Sequence, residues 1–297
     1  MVRAGILLVD KPGGMTSHDV VARARRALGT RKIGHAGTLD PMATGLLVLG
    51  VEGATRLLTY IVGADKTYEA TILLGTATDS DDADGVETSR ADVAAVAAVT
   101  DDAITEGIAA LTGEIDQVPS SVSAIKVQGR RAYDLARAGE TVELKARRVT
   151  VSRFDVRETR REGATIVLDV VVDCSSGTYI RALARDLGRA LRVGGHLTAL
   201  RRTRIGSFDV AAAASIDDIA EDALVTPATA AAVVVGAIAV GADEARDLRH
   251  GKRIDGGGRL TGERAAAIDP DGRLVGIVER RGIQLKSIMN MPEEVAG

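Results

Sequence analysis

An almost uninterrupted run of apolar and β-branched residues occupies positions 165–174, and it constrains the fold of this 297-residue chain more than any other segment. Such a run is typical of a strand that is buried on both faces of a sheet. A short turn follows, and from Thr178 to Leu191 apolar residues recur at helical spacing. A buried strand followed directly by an amphipathic helix indicates a fold that combines sheets and helices.

Further apolar runs bounded by turn residues predict strands along the rest of the chain. They lie at residues 5–9, 46–51, 67–74, 265–268 and 274–279. The first helix is predicted to begin with Ser17 as its cap and to end at Gly29, with Asp19 in the first turn, where the helix dipole favours an anion. Residues 289–297 are predicted to be a frayed tail.

One carboxylate, Asp40, stands among turn formers and small side chains in residues 35–45. Pro41 pushes Asp40 toward an extended conformation, and Gly37 and Gly45 permit backbone angles that a Cβ would penalise. A carboxylate on a stiff loop next to a buried strand is a candidate reactive group. An aspartate before proline also commonly caps a turn, and the local spacing is compatible with either role.

The composition limits the chemistry open to the chain. Aromatic residues make up 2% of it, so stacking on nucleic-acid bases would depend on a few Tyr and Phe side chains. Cys174 is the single cysteine, and no group of Cys and His has metal-ligand spacing, so we expect no metal and a reducing compartment. The N-terminal apolar run is too short for a signal or membrane segment, which predicts a cytoplasmic protein.

The charges are unevenly distributed along the sequence. The net charge is −3, which by itself argues against nucleic-acid binding. Residues 126–153 nevertheless carry eight basic and three acidic side chains, and residues 179–206 carry seven arginines and one acid. Because salt screens charges beyond about 10 Å, a local basic surface is what a phosphate would experience.

Two charged segments are predicted to be solvated. The first is the acidic loop at residues 79–86, where Asp79, Asp81, Asp82 and Asp84 are the alternative ligands for a divalent cation. That spacing lacks the glycine and the distal glutamate of a calcium loop. The second is the series of basic residues along the first helix and just after it, between residues 23 and 32.

Six sequence blocks together carry a family resemblance. They are GILLVDKPGGMTS at residues 5–17, HAGTLDPMATG at 35–45, DKTY at 65–68, PSSVSAIK at 119–126, CSSGTYIR at 174–181 and LRR at 200–202. In this order they resemble the bacterial tRNA pseudouridine synthase B family, whose members convert a T-loop uridine of tRNA, uridine-55, to pseudouridine. The resemblance covers roughly residues 5–206.

The resemblance implies an α+β fold with a mixed, largely antiparallel central sheet flanked by helices and loops. It implies a catalytic domain over residues 1–230, with a basic, thumb-like insertion at about 124–150 that closes over RNA. The same insertion, read alone, fits an exposed hairpin. A small C-terminal domain over 231–290 resembles a degenerate form of the RNA-binding barrel, PUA-like, that is often appended to such enzymes.

The resemblance also implies roles for individual residues. Asp40 is the nucleophile, and Tyr68 stacks on the target base and supports proton removal, although its position alone also fits a core aromatic residue. His35 is the wedge that fills the place of the extruded base; a loop imidazole bound to a carbonyl is the alternative. Leu200 contacts the uracil from beneath. The other implied substrate-binding residues are Lys11, which with Pro12 supports the catalytic loop, and Tyr179, Lys126, Arg130 and Arg131.

Arg181 has an unusual position for a cation. It lies in the first turn of a predicted helix, where the helix dipole does not favour positive charge, so we expect a specific carboxylate partner. We predict an ion pair with Asp40 that keeps this carboxyl ionised. Attack by Asp40 on the sugar C1′ and addition to the ring C6 both remain open, and an isomerisation of this kind requires no cofactor.

Other functions fit parts of the sequence. The basic stretches alone suit an RNA-binding or tRNA-folding protein, and a synthase acting on another RNA uridine, or one that depends on a guide RNA, would share the same blocks. A glycoside hydrolase normally needs two carboxyls flanking the bond, whereas the Asp40 segment offers one. We expect a monomer whose partner is the tRNA T-stem-loop, with no membrane association.

Overall fold

The computed structural model describes residues 2–121, 126–127, 130–131 and 144–292 of the chain. It divides into two compact units, which are described separately. The first unit comprises residues 1–64 together with 204–297, and the second comprises residues 65–203. Both contain sheets and helices, so the predicted α+β class is confirmed.

The strands of the described residues are, in chain order, β1 (Gly5–Lys11), β2 (Ile33–Ala36), β3 (Thr44–Val51), β4 (Lys66–Leu74), β5 (Thr76–Thr78), β6 (Glu87–Arg90), β7 (Gly113–Gln117), β8 (Lys126–Val127), β9 (Arg130–Arg131), β10 (Arg147–Glu162), β11 (Thr165–Cys174), β12 (Gly195–Ile205), β13 (Phe208–Asp209), β14 (Ala214–Ser215), β15 (Ala237–Ala239), β16 (Arg253–Asp255), β17 (Arg264–Ile268), β18 (Leu274–Arg281) and β19 (Gln284–Asn290).

The α-helices of the same residues are α1 (Ser17–Ala27), α2 (Leu58–Ile61), α3 (Val93–Ala97), α4 (Asp101–Ala110), α5 (Ile180–Ala190), α6 (Pro227–Val235) and α7 (Ala242–Arg249), and short 3₁₀ turns occur at Glu52–Leu57, Val210–Ala212, Glu221–Ala223 and Gly257–Arg259. Within the described ranges, none of the helices has both the length and the apolar character that a membrane crossing requires.

In the first unit, β1 lies between β14 and β3 and is buried on both faces. Successive side chains of a strand point to opposite faces, so Ile6 and Leu8 join one apolar core while Leu7 and Val9 join another. The second of these cores also contains the buried face of α1. The predicted N-terminal strand is therefore confirmed, and it positions the chain that follows it.

The C-terminal part of the first unit is a five-stranded sheet with the order β15-β17-β18-β19-β16. Its strands at 264–268 and 274–281 confirm two predicted strands and the expected β-rich character. Ala266 and Ile277 pack in the same core as Ile6. The predicted frayed tail is wrong at its beginning, because Met289 and Asn290 are paired in β19.

In the second unit, the strand order is β12-β4-β11-β10-β7. The predicted central strand at residues 165–174 is confirmed as β11, which pairs antiparallel with β4 on one side and β10 on the other. The predicted helix after it is α5, whose Leu183 and Leu187 are fully buried. Cys174 ends β11 and is 1% exposed.

The beginning of α1 differs from the prediction. The cap is Thr16, whose hydroxyl accepts a hydrogen bond from the Asp19 N–H at 3.1 Å while the Asp19 carboxylate accepts from the Thr16 N–H at 2.9 Å. This reciprocal capping box releases Ser17 for a different contact. Gly29 follows the helix with φ of 64°, as expected for a residue that ends it.

The predicted domain boundary at about residue 230 stays a prediction. The two compact units are defined by how residues pack together, which does not test whether a domain folds independently. Most of the predicted insertion at 124–150 lies outside the described residues. Within it, Lys126, Arg130 and Arg131 belong to a short antiparallel pair of strands, and their side chains lie outside the description.

Gly188 in α5 provides a test of the packing in the second unit. A Cβ at this position would lie 2.2 Å from the carbonyl carbon of Gly194, and backbone atoms cannot withdraw as a flexible side chain can. Gly188→Ala should therefore lower the free energy of unfolding by about 2 kcal/mol or more, the usual result of overpacking.

The matched control is Gly63→Ala, because a Cβ at Gly63 meets nothing within 4 Å. Urea denaturation of both variants measures the difference. Equal stability of the two variants would show that α5 does not pack as closely against the start of β12 as the structure has it.

Candidate active site

Asp40 lies in the loop that joins β2 to β3, and it is half-buried. Gly37 and Gly45 have φ of 80° and 96°, which confirms the prediction that this loop needs conformations that a side chain would penalise. The Asp40 carbonyl accepts a hydrogen bond from the Ala43 N–H at 3.1 Å and so closes a turn. The carboxylate is thus held on a tightly shaped loop.

Lys11 secures this loop from the end of β1. Its side chain is fully buried, and its ammonium donates to the carbonyls of Pro12, Met15 and Pro41 at 2.9, 2.7 and 3.2 Å. The Pro41 carbonyl also accepts from the Gly14 N–H at 2.8 Å. Because a buried ammonium must keep its oxygen partners, these contacts fix the peptide that follows Asp40.

Ser17 secures the other side of the same loop. Its hydroxyl accepts from the Leu39 N–H at 2.9 Å and donates to the Leu39 carbonyl at 3.2 Å, and the side chain is 1% exposed. Both backbone groups of the residue before Asp40 are therefore bound to the first turn of α1. Ser17 is therefore not the predicted helix cap, and its contact with Leu39 was not predicted from the sequence.

His35 lies within β2, opposite Leu49 of β3, and not in the loop itself. Its ring stands edge-on to the ring of His18, with centroids 5.6 Å apart. The side chain is half-buried. A wedge at this position would be supported by a strand, which orients it more firmly than a loop does.

Tyr68 lies in β4 of the second unit, opposite Val172 of β11, and is 7% exposed. The same strand begins with Lys66, where burial, followed by the nearby Arg202 guanidinium, lowers the pKa of the ammonium to about 8. Lys66 is opposite Cys174, where burial raises the pKa of the thiol to about 11. Tyr68 is thus set in a largely desolvated part of the sheet.

Arg181, in the first turn of α5, is 3% exposed. Its Nη1 lies 3.3 Å from the Asp82 carboxylate and donates to the Ser80 carbonyl at 2.7 Å. Asp82 in turn accepts from the Ser80 hydroxyl at 2.6 Å. The loop at residues 79–86 therefore supplies a carboxylate partner for this cation within the second unit. The predicted ion pair between Arg181 and Asp40 stays a prediction.

Arg185, one turn further along α5, binds the same loop. It lies 3.2 Å from the Asp81 carboxylate and donates to the Val118 carbonyl at 2.7 Å. Asp81 and Asp82 are 7% and 5% exposed, so the prediction of a solvated acidic loop is wrong for these two residues. The expected basic surface at 179–206 is likewise reduced, because Arg181 and Arg185 pair within the fold.

The reason for this difference is the path of the loop, which the local sequence does not reveal. Asp81 adopts a φ of 62°, and its carbonyl accepts from the Leu197 N–H at 3.0 Å, which brings the loop against β12. Burial raises the pKa of the Asp81 carboxyl, while Arg185 acts in the opposite direction. Among the described residues, no group of three or more His, Cys, Asp and Glu is arranged to hold a metal ion.

The remaining predicted residues occupy the second unit. Tyr179 precedes α5, and its backbone N–H and carbonyl are both bound by the amide of Gln117, at 2.8 and 3.1 Å. Gln117 is 2% exposed, and nothing in the local pattern identified it. Leu200 is buried in β12. Lys126, Arg130 and Arg131 have no described side chains.

Comparison with protein families gives three matches that follow one another along the chain. The model of the TruB family pseudouridylate synthase (N terminal domain) matches residues 25–180. The model of the tRNA pseudouridylate synthase B C-terminal domain matches residues 181–234, and that of tRNA Pseudouridine synthase II, C terminal, matches residues 236–292. The first match alone spans more than half of the chain.

Individual relatives agree with these matches. The chain is 58% identical to the tRNA pseudouridine synthase B of Leifsonia xyli subsp. xyli (strain CTCB07), covering 100% of this chain and 99% of the relative. It is 54% identical to the tRNA pseudouridine synthase B of Arthrobacter sp. (strain FB24), covering 96% of each. The chain therefore belongs to the TruB family of pseudouridylate synthases, as its sequence blocks predicted.

A solved structure shows the same fold. A chain in the crystal structure of the archaeal box H/ACA sRNP Nop10-Cbf5 complex matches with a TM-score of 0.70 and 24% sequence identity, covering 99% of this chain and 88% of that chain. At this identity the likeness concerns the fold alone. It agrees with the pseudouridine synthase-type architecture expected from the sequence.

The attachment of Leu39 to Ser17 yields a test that does not depend on activity. Ser17→Ala should speed exchange of the Leu39 amide hydrogen by about tenfold, since a lost buried hydrogen bond costs about 1 kcal/mol or more. Amide hydrogen exchange followed by NMR measures this rate.

Thr16→Ala is the control, because it removes the helix cap at a similar cost of about 1 kcal/mol and leaves the Leu39 contact in place. If both variants altered Leu39 exchange equally, the hydroxyl of Ser17 would have no specific effect on the loop.

Proposed function

We propose that this chain isomerises uridine-55 in the T-loop of tRNA to pseudouridine, with Asp40 as the nucleophile. The observation that carries the proposal is a single carboxylate on a loop held on both sides by buried polar contacts, from Lys11 and Ser17. Its support is that the chain belongs to the TruB family and is 58% identical to a tRNA pseudouridine synthase B.

The first step is extrusion of the base. A uridine inside a folded T-loop is stacked, and an enzyme that breaks its glycosidic bond must take it out of the stack at a cost of a few kcal/mol. His35 is proposed to occupy the place of the extruded base. Its position in β2 suits this role, because a strand restricts the movement of the side chain. Leu200 is proposed to contact the uracil face.

Asp40 then acts as a carboxylate nucleophile, which divides one difficult exchange into easier steps. Attack at the sugar C1′ releases the base directly, whereas addition at the ring C6 ties the base to the enzyme first. In either case the N1–C1′ bond breaks, the base rotates, C5 bonds to C1′, and the proton on C5 is lost while N1 gains one. Tyr68 is proposed to support that proton removal, and no cofactor is required.

Arg181 is proposed to pair with Asp40 and to keep it ionised. The guanidinium is already oriented by Asp82 and by the Ser80 carbonyl, so little side-chain freedom is lost when it meets a further carboxylate. An arginine presents five donors in a rigid fork and can serve more than one oxygen partner. Asp82 is thus a positioning residue for the catalytic arginine.

The T-stem-loop is the proposed partner, bound by Lys126, Arg130 and Arg131 of the insertion, by Tyr179, and by the C-terminal segment. Lys11 is proposed to act through the loop that it supports. A monomer acting in the cytoplasm, where tRNA is available, completes the proposal.

Asp40→Asn should abolish turnover, with at least a thousandfold loss, because an amide cannot replace the carboxylate nucleophile, while affinity for tRNA stays within a few-fold. The assay uses an unmodified tRNA transcript carrying 5-tritiated uridine and measures tritium release, with carbodiimide mapping to locate the product. Asp102→Asn, on the exposed side of α4, is the control and should retain full activity.

Tritium release by the Asp40→Asn variant at the wild-type rate would overturn the nucleophile assignment. Product at a uridine other than uridine-55 would overturn the proposed substrate position and leave the chemistry intact.

Tyr68→Phe tests the late step. The phenyl ring keeps the apolar contact but cannot exchange a proton, so product formation should fall by about a hundredfold or more, within the usual contribution of acid–base catalysis. Single-turnover measurement separates this step from binding. Product formation by Tyr68→Phe at the wild-type rate would exclude Tyr68 from proton removal.

A further inference from the structure

A cluster of four cations lies at the C-terminal end of α1 and just before β2. It consists of Arg25, Arg26, Arg31 and Lys32, and all four side chains are exposed. We call this cluster the α1 basic patch. Its arginines line a shallow, open depression together with Ala22, Gly29 and Thr30. No acidic residue occurs between positions 20 and 39 of the sequence.

Among the described residues, the cations of the patch form no ion pairs. There, no carboxylate lies within ion-pairing distance of its four side chains, whereas the neighbouring Arg23 pairs with Asp217. Glu52 borders the patch: its carboxylate accepts from the Thr30 hydroxyl, and its N–H donates to the Lys32 carbonyl at 2.8 Å. One carboxylate cannot balance four cations, so the patch carries a net positive charge and its cations repel one another.

The helix dipole explains only part of this arrangement. Arg25 and Arg26 lie in the last turn of α1, where the helix dipole favours cations. Arg25 also donates to the Ile33 carbonyl at 3.0 Å and so has a structural contact. Arg31 and Lys32 lie beyond the helix, where the dipole effect has ended, and they extend the same positive surface.

The patch lies close to the Asp40 loop. The helix α1 begins beside this loop, through Ser17, and has 11 residues, so its far end is about 16 Å away. Lys32 directly precedes β2 and is three residues before His35, which corresponds to about 10 Å of extended chain. Because each nucleotide of a strand carries one phosphate, a strand that reaches the Asp40 loop covers this distance within a few nucleotides.

We propose that the α1 basic patch binds the phosphodiester backbone of the RNA substrate, a few nucleotides away from the uridine that Asp40 attacks. This inference rests on the proposed function and adds a surface to it. Guanidinium and ammonium groups attract phosphate regardless of base sequence, and this attraction weakens with salt. The patch therefore supplies affinity and orientation and takes no part in the chemistry.

The test variant is Arg26→Gln/Arg31→Gln/Lys32→Gln, which leaves the structural contact of Arg25 in place. The control, Arg90→Gln/Arg157→Gln/Arg161→Gln, removes three exposed cations elsewhere and changes the net charge equally. Binding of an unmodified tRNA transcript is measured from 50 to 300 mM salt. Each lost phosphate contact reduces the magnitude of the slope of log affinity against log salt by about 0.7 to 0.9, so the loss of three contacts should reduce it by about two to three.

At about 100 mM salt the same variant should bind at least tenfold more weakly and show a raised KM, with an unchanged kcat at saturating tRNA. The charge-preserving variant Arg26→Lys/Arg31→Lys should keep the wild-type salt slope, and far-UV circular dichroism should show a wild-type melting temperature for both. If the patch had only a structural role, the test variant would show a lower kcat or a lower stability, and the lysine variant would show the same loss.

A wild-type salt slope and KM in the test variant would overturn the proposal, and so would an equal loss in the control variant. Should the test variant fold poorly, the single variant Arg31→Glu, outside the helix, is expected to weaken binding in the same salt-dependent way, and wild-type binding by it would overturn the proposal. If wild-type protein bound tRNA but formed no pseudouridine, the proposed function would fail, while the salt slopes would still decide whether the patch binds RNA.

Discussion

A buried ammonium sets the geometry on which the candidate site depends. Lys11 has no exposed surface, so its charge can be tolerated only while backbone oxygens surround it. Those oxygens come from the turn after β1 and from Pro41. If the Asp40 loop moved away, the ammonium would lose a partner in a region that water does not reach. The loop is therefore held by electrostatics that a hydrophobic contact could not reproduce.

The second unit also contains buried charges that need polar partners, but here the partners are buried carboxylates and arginines. Asp81 and Asp82 can be buried because they pair with Arg185 and Arg181. Each arginine also donates a hydrogen bond to a backbone carbonyl. Desolvation of such pairs is costly, and they add little stability compared with an apolar core. Their value is orientation, since each partner fixes the other. The proposed role of Arg181 depends on that fixed direction more than on stability.

The sequence predicted the elements with strong local signals. The run at 165–174 is the central strand β11, and Gly37 and Gly45 adopt the backbone angles that their positions suggested. The glycine-dependent shape of the Asp40 loop and the family of the chain were both predicted from short sequence blocks. Such features depend on neighbours in the chain, which a sequence shows directly.

The features that were missed depend on contacts between distant segments. Asp82 and Arg181 are about 100 positions apart, and Gln117 reaches Tyr179 across 62 positions. An acidic loop with a glycine is usually solvated, and only the path of the chain against β12 makes residues 81 and 82 interior. Thr16 and Ser17 are both suitable cap residues, and the contact between Ser17 and Leu39, 22 positions apart, is not visible in the local sequence.

The burial of Cys174 has a consequence for the chemistry of oxidants. At neutral pH a thiol with a pKa of about 11 is ionised in roughly one molecule in ten thousand, and the thiolate is the form that peroxide attacks. Since this is the single cysteine of the sequence, the folded chain offers almost no thiolate to oxidation. We expect the Cys174 thiol to survive peroxide concentrations that oxidise exposed thiols.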